Sequence, residues 1–553
     1  MLSRVSKSAL CVVLAACWTW MVWRSACAQA ANTQTASSAA GFYRIAGMVV
    51  SKIDGHPLGR ARVTLREARD PRKLESIITE DDGKFVFENV PAGKYSLTGA
   101  KRGYISASYD QHDQFSTAIV TGAGVETESL ELKLAPNAVI WGKVLDEAGD
   151  PVRHAMVTLY NEDHQEGVDQ IRVRGGTQTD DLGIYELPSL APGKYFVSAR
   201  ATPWYAVHPP SSSGGQEKIA VDRSLDVAYP LTYYADVTDA DSATPIPVKG
   251  GERLQVEIHL NPVPSLRLLF RVPGDTQHGF AVPVLEQPAF DAFTFVQAGG
   301  VNQVSPGVFE MTGIPAGQYD IRMRGQGTNL QINGIDLNKD GEQIDTTAAE
   351  PLCSLRVSVK IPGESAVPKG FSIGLRAKRR SLAGFHPLDE KGETEITDVP
   401  AGRYDVVVWG ARKPYAIVRM TAEGAEVSGH SIILNAGASA SASVSLVAGS
   451  VEVNGIATKA GKGFPGAMVV LVPRNPEGNR DLFRRDQSDL DGTFSLHNVV
   501  PGSYSVLAIE NGWDLDWSQP AVIAAYARRG HAIDVRDTGT VLNLTEQTTV
   551  QSK

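Results

Sequence analysis

The sequence predicts an all-β protein, a tandem array of about five β-sandwich modules behind an N-terminal signal segment. Three observations carry that expectation. A chain of 553 residues is too long for a single core at roughly 100–150 residues per domain. Gly (53) and Pro (31) are frequent, which suits many short strands joined by tight turns, and long helical periodicity is scarce. Above all, one turn recurs five times in a fixed register.

That turn is Gly-x-Tyr, at Gly93-Lys94-Tyr95, Gly193-Lys194-Tyr195, Gly317-Gln318-Tyr319, Gly402-Arg403-Tyr404 and Gly502-Ser503-Tyr504. Ten residues before each of those glycines stands another: Gly83, Gly183, Gly307, Gly392 and Gly492. The run between the paired glycines alternates as a half-buried strand does, as in Lys84-Phe85-Val86-Phe87. A second strand follows each tyrosine, so the turn is expected to join two neighbouring antiparallel strands, its glycine supplying a positive φ. The tyrosine hydroxyl is expected to tie back to backbone, as in a tyrosine corner. Module boundaries follow at 41–134, 135–262, 263–350, 351–445 and 446–545. Linkers of a residue or two near Ala135-Pro136 and Asn261-Pro262 predict a semi-rigid rod of modules.

Residues 1–28 read as a targeting segment. Arg4 and Lys7 precede an apolar stretch from Ala9 to Trp23, and Ala26-Cys27-Ala28 is an A-x-A cleavage pattern. Two alternatives stay open: lipidation at Cys17, in a lipobox-like Leu14-Ala15-Ala16-Cys17, and an uncleaved anchor. Three of the four cysteines lie in this segment, so cleavage after Ala28 leaves Cys353 alone, expected to be a buried apolar residue, and the modules must stand on their cores without a disulfide. The expected compartment is secreted, periplasmic or on the outer cell surface. A net charge of −9 argues against nucleic acid as a partner.

Modules one, two and five carry a longer pattern. Strands open at Gly47-Met48-Val49, Gly142-Lys143-Val144 and Gly449-Ser450-Val451, followed by Gly-x-Pro and Ala-x-Val segments. Acidic turns come next, at Asp81-Asp82-Gly83, Asp180-Asp181-Leu182-Gly183 and Asp489-Leu490-Asp491-Gly492. This order resembles the carboxypeptidase regulatory-like domain. The resemblance implies a transthyretin-like or Ig-like Greek-key sandwich, akin to collagen-adhesin B-type repeats and starch-binding-like folds, in an exported bacterial protein. Modules three and four resemble it mainly through Gly307, Gly317, Gly392, Gly402 and their tyrosines, and are expected to be divergent sandwiches.

The residue sets that catalysis requires are missing. None of the eleven histidines begins a His-x-x-Glu, and no His-Glu-x-x-His, Gly-x-Ser-x-Gly or phosphate-binding Gly-rich loop is present. The expectation is therefore no enzyme, no cofactor and no metal. Asp336-Leu337-Asn338-Lys339-Asp340-Gly341 has the spacing of a calcium loop, but position twelve is Thr347 instead of Glu, so it reads as a plain hairpin turn. Lys52 and Lys143 could donate to an isopeptide cross-link of the adhesin-repeat kind, but the last strands of modules one and two lack an inward Asn, so none is expected.

Two function classes fit. One is a binding protein with a polysaccharide as candidate ligand. Its speculative stacking residues are Trp204, Tyr205, Tyr233 and Tyr234, on the Tyr-rich insertion of module two, with Trp513 and Trp517 in further predicted loops. The other is a structural spacer, scaffold or protein-docking protein of the cell envelope. Exposed, coplanar aromatics on one face would favour the first.

Overall fold

The computed structural model describes residues 41–122, 124–165, 167–209, 222–271, 283–305, 308–325, 328–344, 351–364, 366–377, 384–410, 415–477, 479–536 and 540–553. The targeting segment with Cys11, Cys17 and Cys27, as well as Gly307 and Thr347, lies outside them. Among the described residues no helix is long and apolar enough to cross a membrane.

The strands form five two-sheet sandwiches with one recurring plan. In the first, Phe42–Ser51 lies at the centre of one sheet, antiparallel to Lys84–Pro91 and parallel to Leu130–Leu134. The facing sheet runs Leu74–Ile78, Arg62–Glu67, Gly93–Ala100, with short strands at Ala107–Ser108 and Ile119–Thr121 on its far edge. Alternation supplies the core: Leu130, Leu132 and Leu134 point inward against Val63, Leu65, Phe85 and Phe87, and the residues between them face water. The opening strand is central and parallel to the closing strand in all five sandwiches, at Ala138–Leu145, Leu266–Arg271, Cys353–Lys360 and Val451–Lys459 in the later ones. The third and fourth, faint in sequence, therefore share the plan of the others, each around its own core. Cys353 is buried in the fourth core, 1% exposed.

The Gly-x-Tyr turn does not join paired strands. Lys84–Pro91 pairs in one sheet and Gly93–Ala100 in the other, so the turn is the corner at which the chain crosses the sandwich. The tyrosine hydroxyl donates to the carbonyl four residues upstream in every copy. Tyr95 reaches Pro91 at 3.0 Å, Tyr195 Ala191 at 2.9 Å, Tyr319 Pro315 at 2.7 Å, Tyr404 Pro400 at 2.8 Å and Tyr504 Val500 at 2.8 Å. Space favours the glycine most in the third and fifth copies, where a Cβ on Gly317 would meet the Tyr319 hydroxyl at 3.1 Å and one on Gly502 the Tyr504 ring at 3.2 Å. Of the corner glycines Gly402 alone has a positive φ, at 154°; the left-handed φ shared by all five copies falls instead on the residue four places earlier: Asn89, Ser189, Gly313, Asp398 and Asn498, at 56°, 61°, 71°, 59° and 61°. Each sits at a register shift against the opening strand, a β-bulge that sharpens the twist just before the corner.

The fifth sandwich departs in two ways: its last strand, Thr548–Ser552, pairs parallel with both Val451–Lys459 and Gly502–Glu510 and so joins its two sheets along one edge, and it carries a helix. Its single α-helix, Pro520–Ala527, lies over the outer face of the sheet containing Met468–Pro473 and Gly502–Glu510. Met468–Pro473 is thus buried on both faces, which explains its unbroken apolar run MVVLVP where other strands alternate.

The modules do not extend as a rod. Short linkers constrain consecutive modules only, and the fifth module returns to pack on the first and second. Lys94 Nζ lies 2.5 Å from Asp489 Oδ2, Gln487 Nε2 donates to Thr117 Oγ1 at 2.8 Å and to the Asp110 carbonyl at 2.6 Å, and Leu490 packs against the first module's core.

Candidate functional site

The inserted segment that follows strand Gly193–Arg200 builds the wall of a cleft between the second and third modules. The cleft measures about 320 Å³ and is lined by Arg153, His154 and Gln178 on one side and by Gln287, Phe295 and Gln297 on the other, with Arg200, His208 and Tyr229 between. Among the described residues, none that line it carries a carboxylate. The acids just behind it are paired with lining side chains or their neighbours. Asp181 pairs with Arg153 at 3.1 Å, Asp226 with His208 at 3.0 Å, and Glu147 accepts from Tyr229 at 2.9 Å and from Tyr205. Burial alone would raise the Glu147 carboxyl, but the two hydroxyl donors and backbone hold it below the usual range. Burial together with that carboxylate pushes the Tyr205 phenol up to about 12, so both tyrosines remain donors.

The structure separates the predicted aromatic residues. Trp204 is 86% exposed and meets Tyr205 edge-on at 85°, so the two do not form a flat platform. Its neighbours Thr202 and Pro203 line the cleft. Tyr233 is only 1% exposed and offers no face to a ligand, which corrects its assignment as a stacking residue. The reason is that Thr232–Tyr233 adds a strand to the sheet beside Ser198 and Ala199, and Phe290 of the third module then covers the ring at 5.2 Å. Tyr234 is half-buried against the second core.

Phe290 is the key to this joint. It sits at the turn between Pro283–Ala289 and Ala292–Val296 with φ of 55°, a conformation that bulky residues rarely hold. Its ring enters a socket formed by Tyr160 at 5.0 Å, Phe196 at 4.9 Å and Tyr233. Asp291 beside it accepts from the Ile171 backbone at 2.8 Å, and Arg200 donates to the Phe295 carbonyl.

Trp513 and Trp517 are likewise joint residues. Trp513 stacks on His112 of the first module at 5.0 Å and 6°. The Arg485 guanidinium lies 4.3 Å from the Trp517 ring and 5.1 Å from that of Phe115, and pairs with Asp113 at 3.4 Å. Against the second module, His164 Nε2 donates to the Leu515 carbonyl at 2.6 Å while Nδ1 lies 2.7 Å from Asp169. His164, Asp169 and Asp516 bring three ligand atoms within 4.8 Å of one another, but both histidine nitrogens are engaged, so the trio works as an ion-paired clasp. Trp513 and Trp517 were visible in the sequence as loop aromatics, but the polar residues of these joints gave no signal, because Lys, Gln, Asp and His at turns look like any solvated surface.

The calcium-like loop is closed to a cation by its own fold. Asp340 forms a forked pair with Arg267 and also accepts that residue's backbone N–H at 3.0 Å. Its flanking strands belong to different sheets, so this too is a crossover and not the expected hairpin. The acidic turns serve their own backbone: Asp180 accepts from the Leu182 and Ile184 N–H groups at 2.9 and 2.8 Å. Lys52 and Lys143 are both exposed, away from any core position that a cross-link would need.

Residues 44–128 and 139–212 match the family model of the carboxypeptidase regulatory-like domain. No curated protein matches the chain. Among solved structures it is similar to the Bacillus anthracis TIE protein, at 13% identity over 75% of each chain with a TM-score of 0.17. It is also similar to GBS52, the minor pilin of Streptococcus agalactiae, at 13% identity over 40% of this chain and 97% of that one with a TM-score of 0.20. A third is the pair of B repeat units from the collagen binding protein of Staphylococcus aureus, at 12% identity over 74% of this chain and 100% of that one with a TM-score of 0.12.

Proposed function

From the premise that the first two modules of this chain, residues 44–128 and 139–212, are carboxypeptidase regulatory-like domains, we propose that it is an exported, non-catalytic binding protein of the bacterial cell envelope. Its ligand site is the cleft between modules two and three, with Trp204 and Tyr205 at the margin, and its ligand is a polysaccharide. The observation that carries this reading is the use of the aromatic side chains. Phe290, Trp513 and Trp517 lock modules against one another, so a cleft whose walls come from two modules keeps its shape without a ligand. A spacer gains its reach from end-to-end extension, and the return of module five onto module one works against that use.

A second reading is a scaffold that docks other envelope proteins, in keeping with the side-chain contacts by which modules one, two and five hold one another, Lys94–Asp489, His112–Trp513 and His164–Leu515. Native affinity electrophoresis of the full chain through a polysaccharide panel separates the two. The binding reading expects retardation by at least one glycan, weakened in Trp204→Ala and Tyr205→Ala. Unchanged mobility on every glycan would leave the scaffold.

A further inference from the structure

We propose that the cleft between the second and third modules takes an acidic polysaccharide, a uronate-containing segment whose carboxylate faces Arg153 and Arg200. The inference rests on the reading of this cleft as the binding site and adds the chemical class of the ligand.

Charge is the first argument. The chain carries 62 acidic against 53 basic residues, yet among the described residues the cleft lining holds two arginines and no carboxylate, and the acids just behind it, Asp181 and Asp226, are each already paired with a lining side chain. In an acidic protein a concave surface of that sign attracts anions and repels little. Arg153 is poised for exchange: its pairing with Asp181 is between side chains 62% and 78% exposed, an arrangement that contributes little stability and yields readily to another carboxylate. Arg200 uses one N–H on the Phe295 carbonyl and retains further donors on a planar fork suited to a carboxylate.

The rest of the lining fits sugar hydroxyls. Gln178, Gln287 and Gln297 line opposite walls, and a carboxamide both donates and accepts, which is what a ring bearing several hydroxyls requires. Phe295 is 60% exposed at the same cleft, an apolar face against which the C–H side of a pyranose can rest. A volume of about 320 Å³ is at the small end of ligand pockets, so the cleft holds a short segment of a longer chain. A phosphate or sulfate would satisfy the arginines but leave the three amides and the phenyl face without partners.

The test is affinity electrophoresis of the full chain on a panel of polyuronates (polygalacturonate, polyglucuronate and alginate), each beside its carboxyl-reduced neutral counterpart. The proposal expects retardation by a polyuronate, none by its reduced form, and about tenfold weaker binding in Arg153→Gln. Arg153 is well exposed, so the variant is expected to melt as the parent does, which a thermal scan checks. Equal retardation by the reduced glycan would overturn the acidic class while leaving the cleft as a sugar site. Retardation by a polyuronate that Arg153→Gln and Gln297→Ala both leave unchanged would place the anion elsewhere and overturn the proposal. No retardation by any glycan, acidic or neutral, would overturn both this proposal and the binding reading beneath it.

Discussion

Lys94 and Asp489 stand 395 residues apart in sequence and 2.5 Å apart in space. Lys94 is the middle residue of the first Gly-x-Tyr corner, and Asp489 opens the acidic turn of the fifth module. The Asp489 side chain is 12% exposed. Burial raises its pKa and the Lys94 ammonium opposes that rise. It also accepts from the Ala118 backbone at 3.2 Å. Lys94→Met would strand a desolvated carboxylate, a change expected to cost about 1–2 kcal/mol, less than a fully buried pair because Lys94 keeps contact with water. Adding Asp489→Asn should recover most of that loss in urea unfolding, since the amide still accepts from Ala118. A double variant as unstable as the single one would mean that the ammonium is not what compensates the carboxylate.

Phe290→Ala should empty the socket formed by Tyr160, Phe196 and Tyr233. A fully buried phenyl lost from a packed site costs about 3–5 kcal/mol; Phe290 is partly buried, so a smaller loss is expected, and it falls on the joint between modules two and three. Hydrogen exchange should accelerate in strands 156–163 and 193–200 while the Tyr504 corner of module five stays protected. Uniform exchange across the chain, unchanged from the parent, would contradict the role given to this ring.

His164 makes the clasp between modules two and five depend on pH. Its two ring nitrogens face a carbonyl and a carboxylate, both acceptors, so the imidazolium satisfies both and the neutral ring only one. Burial lowers its pKa, but the Leu515 carbonyl and the charges of Asp169 and Asp516 outweigh burial and raise it above the usual value. The other charges nearby are Asp514, which Lys553 pairs, and Arg485, which donates to the Gln165 carbonyl. With the folded pKa raised, the clasp contributes fully below the unfolded value of about 6.5 and weakens as pH rises through the folded one. Exchange at 162–165 and 514–518, corrected for intrinsic rates, should therefore quicken above neutral pH, and His164→Gln should flatten that dependence. A profile identical in the two proteins would remove His164 from the clasp.

The repeat register made the corners legible, because a tyrosine hydroxyl that returns to the carbonyl four residues upstream fixes the spacing of the corner whatever surrounds it. It could not say which strands pair, since a strand that crosses to the opposite sheet and one that turns back within its own use the same alternation. The bulge at Asn89, Ser189, Gly313, Asp398 and Asn498 had a faint signature, four residue types that tolerate positive φ at one offset, and it takes the bulge geometry to give that pattern meaning. In the candidate site, Trp204 was legible as an exposed loop aromatic. Tyr233 was not, because its burial depends on Phe290, which arrives from another module. The rod expectation failed for the same reason: linker length governs neighbours in sequence, and the joints that decide the arrangement connect modules one and two to module five.

Carbodiimide cross-linking with mass spectrometry tests the locked arrangement most directly, because the reagent joins only amines and carboxylates already in contact. Lys194 and Glu162, 2.9 Å apart within module two, provide the internal control. Recovery of a Lys94–Asp489 linked peptide from the monomer, absent in Lys94→Arg, is the expected result. Recovery of the Lys194–Glu162 link without it would mean that module five does not return to module one, and the joints described here would fall with it.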